Sequence, residues 1–146
     1  MNLKFSKRYV AVVVALCLLC VGMSGCASIS SGGYEFKSGI TPPAAVSDLM
    51  QNGTVVLFIT QNNCPACEQT QPLIAGLQSQ YKGMNVTFVN FNIDNNTTSQ
   101  NVGKAYGVTA TPTTVVLRKD GAAAIFVGVF DPSTVKSAID DARSTY

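Results

Sequence analysis

No histidine occurs among the 146 residues of the chain. A reactive cysteine therefore has no imidazole beside it, and a tetrahedral zinc centre has no nitrogen ligand to draw on. Charge is scarce as well: Asp, Glu, Lys and Arg make up 12% of the residues, and no basic cluster forms after the first eight residues. Neutralising phosphates requires a Lys/Arg patch, so nucleic acid is excluded as a partner. Cysteines number five, an odd count that cannot close entirely into intramolecular disulfides. What the chain does have is apolar character, 47% hydrophobic residues over a length typical of one domain, which is enough to fill a core.

The beginning of the chain is not part of that core. Lys4, Lys7 and Arg8 precede an apolar run from Tyr9 to Val21, and no charged residue follows until Glu35. A basic flank with a short apolar stretch is the pattern of an export signal. Directly after it, Met23-Ser24-Gly25-Cys26 resembles the lipobox of lipoprotein signal peptides, with Met23 in the usual leucine position. The resemblance implies that residues 1–25 are removed and that Cys26 is lipidated on sulfur as the new N-terminus. The alternative is an uncleaved signal anchor, because about 20 residues from Tyr9 onward are apolar enough to span a bilayer. In both cases the basic flank stays cytoplasmic and the remainder faces outward, in the cell envelope or at the cell surface. The expected organisation is a signal or anchor at 1–25, a Ser-, Gly- and Pro-rich flexible tether at 26–43, and a folded domain at 44–146. Such a tether spans about 23 Å and keeps the domain near its membrane. Processing would remove three of the ten basic residues and leave eight acidic ones, so the basic pI belongs to the leader.

Cys17 and Cys20 lie in the apolar run and Cys26 at its end, which leaves Cys64 and Cys67 as one intact pair in the exported part. An oxidising compartment permits a disulfide there. The run Thr54–Thr60 is β-branched, apolar and of strand length, and Gln61-Asn62-Asn63 supplies a turn before Cys64-Pro65-Ala66-Cys67. Pro65 suits the first position of a helix. The strand then delivers Cys64 to a helix start, where free N–H groups and the helix dipole stabilise a thiolate by up to about 2 kcal/mol and lower the thiol pKa. Glu68, one turn from Cys64, opposes part of that. A thiolate is the nucleophile of disulfide exchange, so Cys64, at the exposed helix start, reads as the attacking group and Cys67, one turn inside, as the shielded resolving thiol. The exchange needs no cofactor. A purely structural disulfide is the blander reading, but so short a loop constrains the unfolded chain little. Two thiolates supply only half the ligands of a zinc site, so no metal is assigned. The alternative of a different class is a non-catalytic interaction or scaffold module.

The remaining elements follow from local patterns. Tyr34 to Ile40 reads as an added strand, and Pro43–Met50 as a short helix with Val46, Leu49 and Met50 on one face, ended by Asn52-Gly53. Cys64 to about Lys82 forms the longest helix, with Leu73, Ile74, Leu77 and Tyr81 as its apolar stripe and a kink expected at Pro72. Met84–Ile93 alternates as a strand, and a helix over about 98–106 ends at Gly107 as a left-handed cap. Strands over 114–118 and 123–129 flank Asp120-Gly121, a hairpin signal, and a last helix runs over 132–142 with Asp131 as N-cap and Val135, Ala138 and Ile139 facing inward.

This order, with the cysteine pair between the first strand and the long helix, resembles the thioredoxin fold. The landmarks fall in sequence: Cys64-Pro65-Ala66-Cys67, Pro72, Lys104-Ala105-Tyr106-Gly107-Val108, Thr111-Pro112-Thr113, Lys119-Asp120-Gly121 and Gly128. The resemblance implies an α/β domain with a central mixed sheet of four to five strands flanked by helices. It implies a cis bond before Pro112, which lies against the cysteine pair, and a substrate-binding role for Thr111 and Pro112. It further implies a monomer that exchanges disulfides with protein partners and is reset by another redox protein. The chain departs from the family where a buried Asp and a strand Lys are replaced by Phe58 and Asn90, and where Asn63 stands in place of the usual Trp. Reductant, oxidant and isomerase share the same chemistry of the pair.

Overall fold

The computed structural model describes residues 33–146. The lipobox-like segment with Cys26, and Cys17 and Cys20 before it, lie outside the described residues. The elements run α1 (Ala44–Met50), β1 (Thr54–Thr60), α2 (Pro65–Gln80), β2 (Val86–Asn92), α3 (Thr97–Ala105), β3 (Thr113–Leu117), β4 (Ala123–Val127) and α4 (Pro132–Arg143). The strands form one mixed sheet in the order β2-β1-β3-β4, with β1 parallel to β2 and antiparallel to β3, and β3 antiparallel to β4.

Every residue of β1 is buried, which is why its sequence is apolar without interruption. Because side chains alternate along a strand, β1 feeds two cores. Val56 and Phe58 join both cysteines, Ile74 and Leu77 of α2, and Val135 and Ile139 of α4. Val55, Leu57 and Ile59 join Val46 and Met50 of α1 with Val102 and Tyr106 around α3. Burial pushes the Tyr106 hydroxyl up to about 12. The expected inward residues of α1, α2 and α4 therefore fall where the periodicity puts them.

Turn chemistry sets the ends. Gly53 has φ +142, and a Cβ there would lie 2.0 Å from the Asn85 carbonyl oxygen, so only glycine lets the two loops meet. Asn85 itself has φ 54, which keeps Met84 and Asn85 out of the strand that starts at Val86. Gly107, at φ 63, closes α3 as expected. The helix α2 continues through Pro72. That proline has no N–H for the Glu68 carbonyl, and both residues face solvent, where water can take the bond.

The segment before α1 differs from the sequence reading twice. Tyr34–Ile40 is not a fifth strand; one antiparallel bridge joins Lys37 to Ala123, with both amide-to-carbonyl distances at 2.9 Å. Gly39 at φ 84, and the missing N–H groups of Pro42 and Pro43, prevent pairing from continuing. Nor is the described part of 26–43 a free coil. Tyr34 and Phe36 pack on the first core and Ile40 on the second, with the Arg118 guanidinium 4.1 Å from the Phe36 ring centroid.

Candidate active site

At the C-terminal end of β1, Gln61-Asn62-Asn63 turns the chain into α2. The turn is held from the end of β2 and the turn after it: the Asn62 amide donates to Asp94 Oδ2 at 2.8 Å, and Asn92 Nδ2 donates to Asn62 Oδ1 at 2.9 Å. Asn63 adopts φ 52, a conformation asparagine tolerates better than most residues. Cys64 follows in extended conformation as the N-cap of α2, with Pro65 at the first helical position and half-buried Ala66 at the second.

Cys64 and Cys67 form a disulfide, S–S 2.09 Å, with Cα atoms 5.2 Å apart. The Cys67 amide donates to Cys64 Sγ at 3.1 Å. From the loop before β3, the Thr111 hydroxyl donates to the same sulfur at 3.7 Å. The Thr111–Pro112 bond is cis, Pro112 is buried, and its carbonyl accepts from the Gly128 amide at 2.7 Å. The residues implicated by sequence, Cys64, Pro65, Ala66, Cys67, Thr111 and Pro112, thus come together at one end of the sheet. One expectation fails. Exposure does not separate the cysteines, which are 8% and 7% accessible. Their difference lies in the donors: the Cys67 amide addresses Cys64 because the N-cap residue has its sulfur over the free amides of the first turn, and the Thr111 hydroxyl adds a second donor from the loop before β3.

Beside the disulfide lies a cavity of about 250 Å³ lined by Phe58, Thr60, Cys67, Glu68, Gln71 and Asn90, among others. Phe58 and Asn90 are register partners on β1 and β2, and the Thr60 hydroxyl donates to Asn90 Oδ1 at 3.0 Å. Glu68 is the one ionisable side chain on the cavity wall apart from the cysteines. Among the described residues no group of three or more His, Cys, Asp or Glu side chains converges as a metal site would require. Sequence reasoning missed Thr60, Gln71 and the Asn62–Asn92–Asp94 network, for which spacing offers no signal beyond a polar turn.

The thioredoxin-like domain family matches residues 44–143. Among solved structures, mitochondrial thioredoxin 3 from Saccharomyces cerevisiae in its oxidised form is similar at 26% identity and TM-score 0.57, over 66% of this chain and 87% of that one. Fasciola hepatica thioredoxin aligns at 19% identity and TM-score 0.56, over 67% and 88%. A mutant thioredoxin from Halobacterium salinarum aligns at 20% and 0.57, over 71% and 88%. No curated protein sequence matches the chain. With its family match over most of the chain, a four-stranded mixed sheet flanked by helices and a cysteine pair at the start of α2, the chain belongs to the thioredoxin-like domain family.

Proposed function

We propose that the protein is a thiol-disulfide oxidoreductase, attached to the outer side of the cytoplasmic membrane, that exchanges disulfides with partner proteins through Cys64 and Cys67. The observation that carries this reading is the convergence of the Cys67 amide and the Thr111 hydroxyl on Cys64 Sγ within a thioredoxin-like fold. Export and attachment are supported by the basic and apolar leader and by Met23-Ser24-Gly25-Cys26. No helix among the described residues is long and apolar enough to cross a membrane, and the proposed anchor lies before them.

In the reducing direction, Cys64 thiolate attacks one sulfur of a partner disulfide. A mixed disulfide forms and the other partner sulfur leaves as thiolate. Cys67, once deprotonated, attacks Cys64 Sγ, the mixed disulfide breaks, and the second partner thiolate leaves. Two electrons pass to the partner and the Cys64–Cys67 disulfide remains, to be reset by another redox protein; the reverse order oxidises a partner. Thr111 and Pro112 border the attacking sulfur and hold the partner's chain. Reduction of insulin by the purified domain with an external reductant tests the reading, with Cys64→Ser as the control that should lose turnover. A non-catalytic module is favoured by Phe58, which fills the family's buried-acid position, and absence of turnover would select it.

A further inference from the structure

The last described residues before the domain run along the edge of the sheet in a fixed direction. Lys37 pairs antiparallel with Ala123, which lies in one row with Leu117 and Val55, at the end of the sheet away from the cysteines. Three residues earlier, the Tyr34 ring lies 6.0 Å from that of Phe126, in the row of Thr114 and Phe58. At about 3.3 Å per residue the chain covers roughly 10 Å along the sheet between these rows. Gly33 is then next to the row of Val127, Thr113 and Ile59, beyond which Gly128 bonds Pro112 and Thr111 touches Cys64. A parallel pairing would have brought the chain in at the opposite end.

We propose that this clamp turns the Cys64/Cys67 end of the domain toward the membrane, and that the partner is a membrane protein presenting its cysteines on a loop at the bilayer surface. The inference rests on the membrane attachment proposed above, by either the lipid or the uncleaved anchor. Between Cys26 and Gly33 there are seven peptide steps, at most about 25 Å when fully extended. A free tether reaching to Pro43 would let the domain swing; the two Lys37–Ala123 bonds, the Tyr34 and Phe36 packing and Arg118 over Phe36 confine that freedom to the steps before Gly33 and put the point of attachment at the cysteine end. A folded domain of 100 residues has a radius of gyration of about 13 Å, hence a diameter of roughly 34 Å, and does not fit the gap. A loop or extended segment does. The exposed Val127 and Val129, either side of Gly128, give that end an apolar rim for such a segment.

The test uses the full membrane-attached protein in vesicles, with the Cys64–Cys67 pair oxidised and Cys17 and Cys20 replaced by serine. A nitroxide is placed at Val127→Cys or at Met84→Cys, an exposed site at the other end of the sheet, and relaxation by a gadolinium-chelating lipid headgroup is read. The expected result is several-fold stronger relaxation at position 127. Lys37→Pro with Tyr34→Ala, which removes a bridge donor and the aromatic contact, should bring the two sites together. Equal relaxation in the unaltered clamp, on protein that still floats with vesicles, overturns the orientation alone. Protein that does not float overturns the attachment reading and the orientation with it. Recovery of the disulfide-linked partners of Cys67→Ser as soluble folded proteins, instead of integral membrane proteins, overturns the partner class.

Discussion

The N-termini of α2 and α4 are built alike and used differently. Each has an extended cap residue followed by proline, Cys64-Pro65 in one and Asp131-Pro132 in the other. Asp131 saturates its helix start: its carboxylate accepts from the amides of Ser133 and Thr134 and from both their hydroxyls. Hydrogen bonds from the Ser133 and Thr134 hydroxyls hold its carboxyl below the usual carboxylate range. Cys64 carries no charge while the disulfide is closed, and its one hydroxyl donor, Thr111, comes from 47 residues away. An anion is permanent at α4 and appears at α2 only on reduction. The places that Ser133 and Thr134 take in α4 are taken in α2 by Ala66 and Cys67, which leaves room for a second sulfur, and the hydroxyl donor comes instead from the loop before β3.

The largest effect should come from removing the conditional anion. Cys64→Ser is expected to reduce insulin turnover to the rate of the external reductant alone and to trap no partner. Cys67→Ser should instead accumulate mixed disulfides that reductant dissolves, because attack survives and release does not. Non-reducing gels of the two variants decide it: equal trapping would show that the donors at Cys64 do not assign the roles.

Thr111→Val keeps the shape and removes the distant hydroxyl. A hydrogen bond to a charged group contributes about 1.5–3 kcal/mol, and at a sulfur distance of 3.7 Å the lower end or less applies. Alkylation of reduced Cys64 near neutral pH should slow by roughly 3- to 10-fold, its pH midpoint moving up, with Thr111→Ser restoring the wild-type profile. An unchanged midpoint would mean that the α2 amides alone support the thiolate.

What the sequence made legible in this comparison is what local rules control. The apolar, β-branched run Thr54–Thr60, the helix starts at Pro65 and Pro132, the Asp131 cap and the Gly107 stop all depend on neighbours within a few residues, and all stand where patterning put them. Phe58 and Asn90, singled out only as departures from the family pattern, prove to be register partners on β1 and β2. The features that escaped are long-range. Lys37 meets Ala123, Asn62 meets Asp94, and the Thr111 hydroxyl meets Cys64 because the sheet brings them together. The composition of 26–43 suggested a flexible tether and the pattern of 34–40 an added strand, both read locally, whereas the sites that hold Tyr34 and Phe36 are built by β4 and Arg118. Equal burial of the cysteines was likewise invisible, because the Thr111 side chain that meets Cys64 comes from a loop 47 residues away.

The two helices that differ at their starts are tied together near their other ends. The hydroxyl of Tyr81, the residue closing α2, donates to Asp140 Oδ1 of α4 at 2.7 Å. Burial, then the hydrogen bond and charge of Asp140, raise the Tyr81 pKa well above the usual tyrosine range. The folded state therefore holds this proton more tightly than the unfolded chain, and the stability involved is present below about pH 10 and lost as pH rises through the folded value. Tyr81→Phe should cost about 1 kcal/mol near neutrality and flatten the alkaline limb of a denaturation series. A limb as steep as wild type would assign the alkaline loss elsewhere.

The smallest expected effect is at the permanent anion itself. Burial acts to raise Asp140, and the hydrogen bonds from Lys136 and Tyr81 outweigh it, so both Asp140 and Asp131 have folded pKa values below their unfolded ones. Each contributes stability above the unfolded carboxylate value that is lost as pH falls through the folded one. Asp131→Asn keeps an acceptor for the Thr134 amide but not the charge, so it should melt a few degrees below wild type at neutral pH and converge with it in strong acid, where Asp131 is protonated in both states. Alkylation of reduced Cys64 in this variant should be unchanged, because α4 touches the redox end only through the shared core. A shift in Cys64 reactivity with Asp131→Asn would show that the two helix starts are electrostatically coupled, and the contrast between a structural cap and a redox cap would then have to be drawn at the level of the whole sheet end.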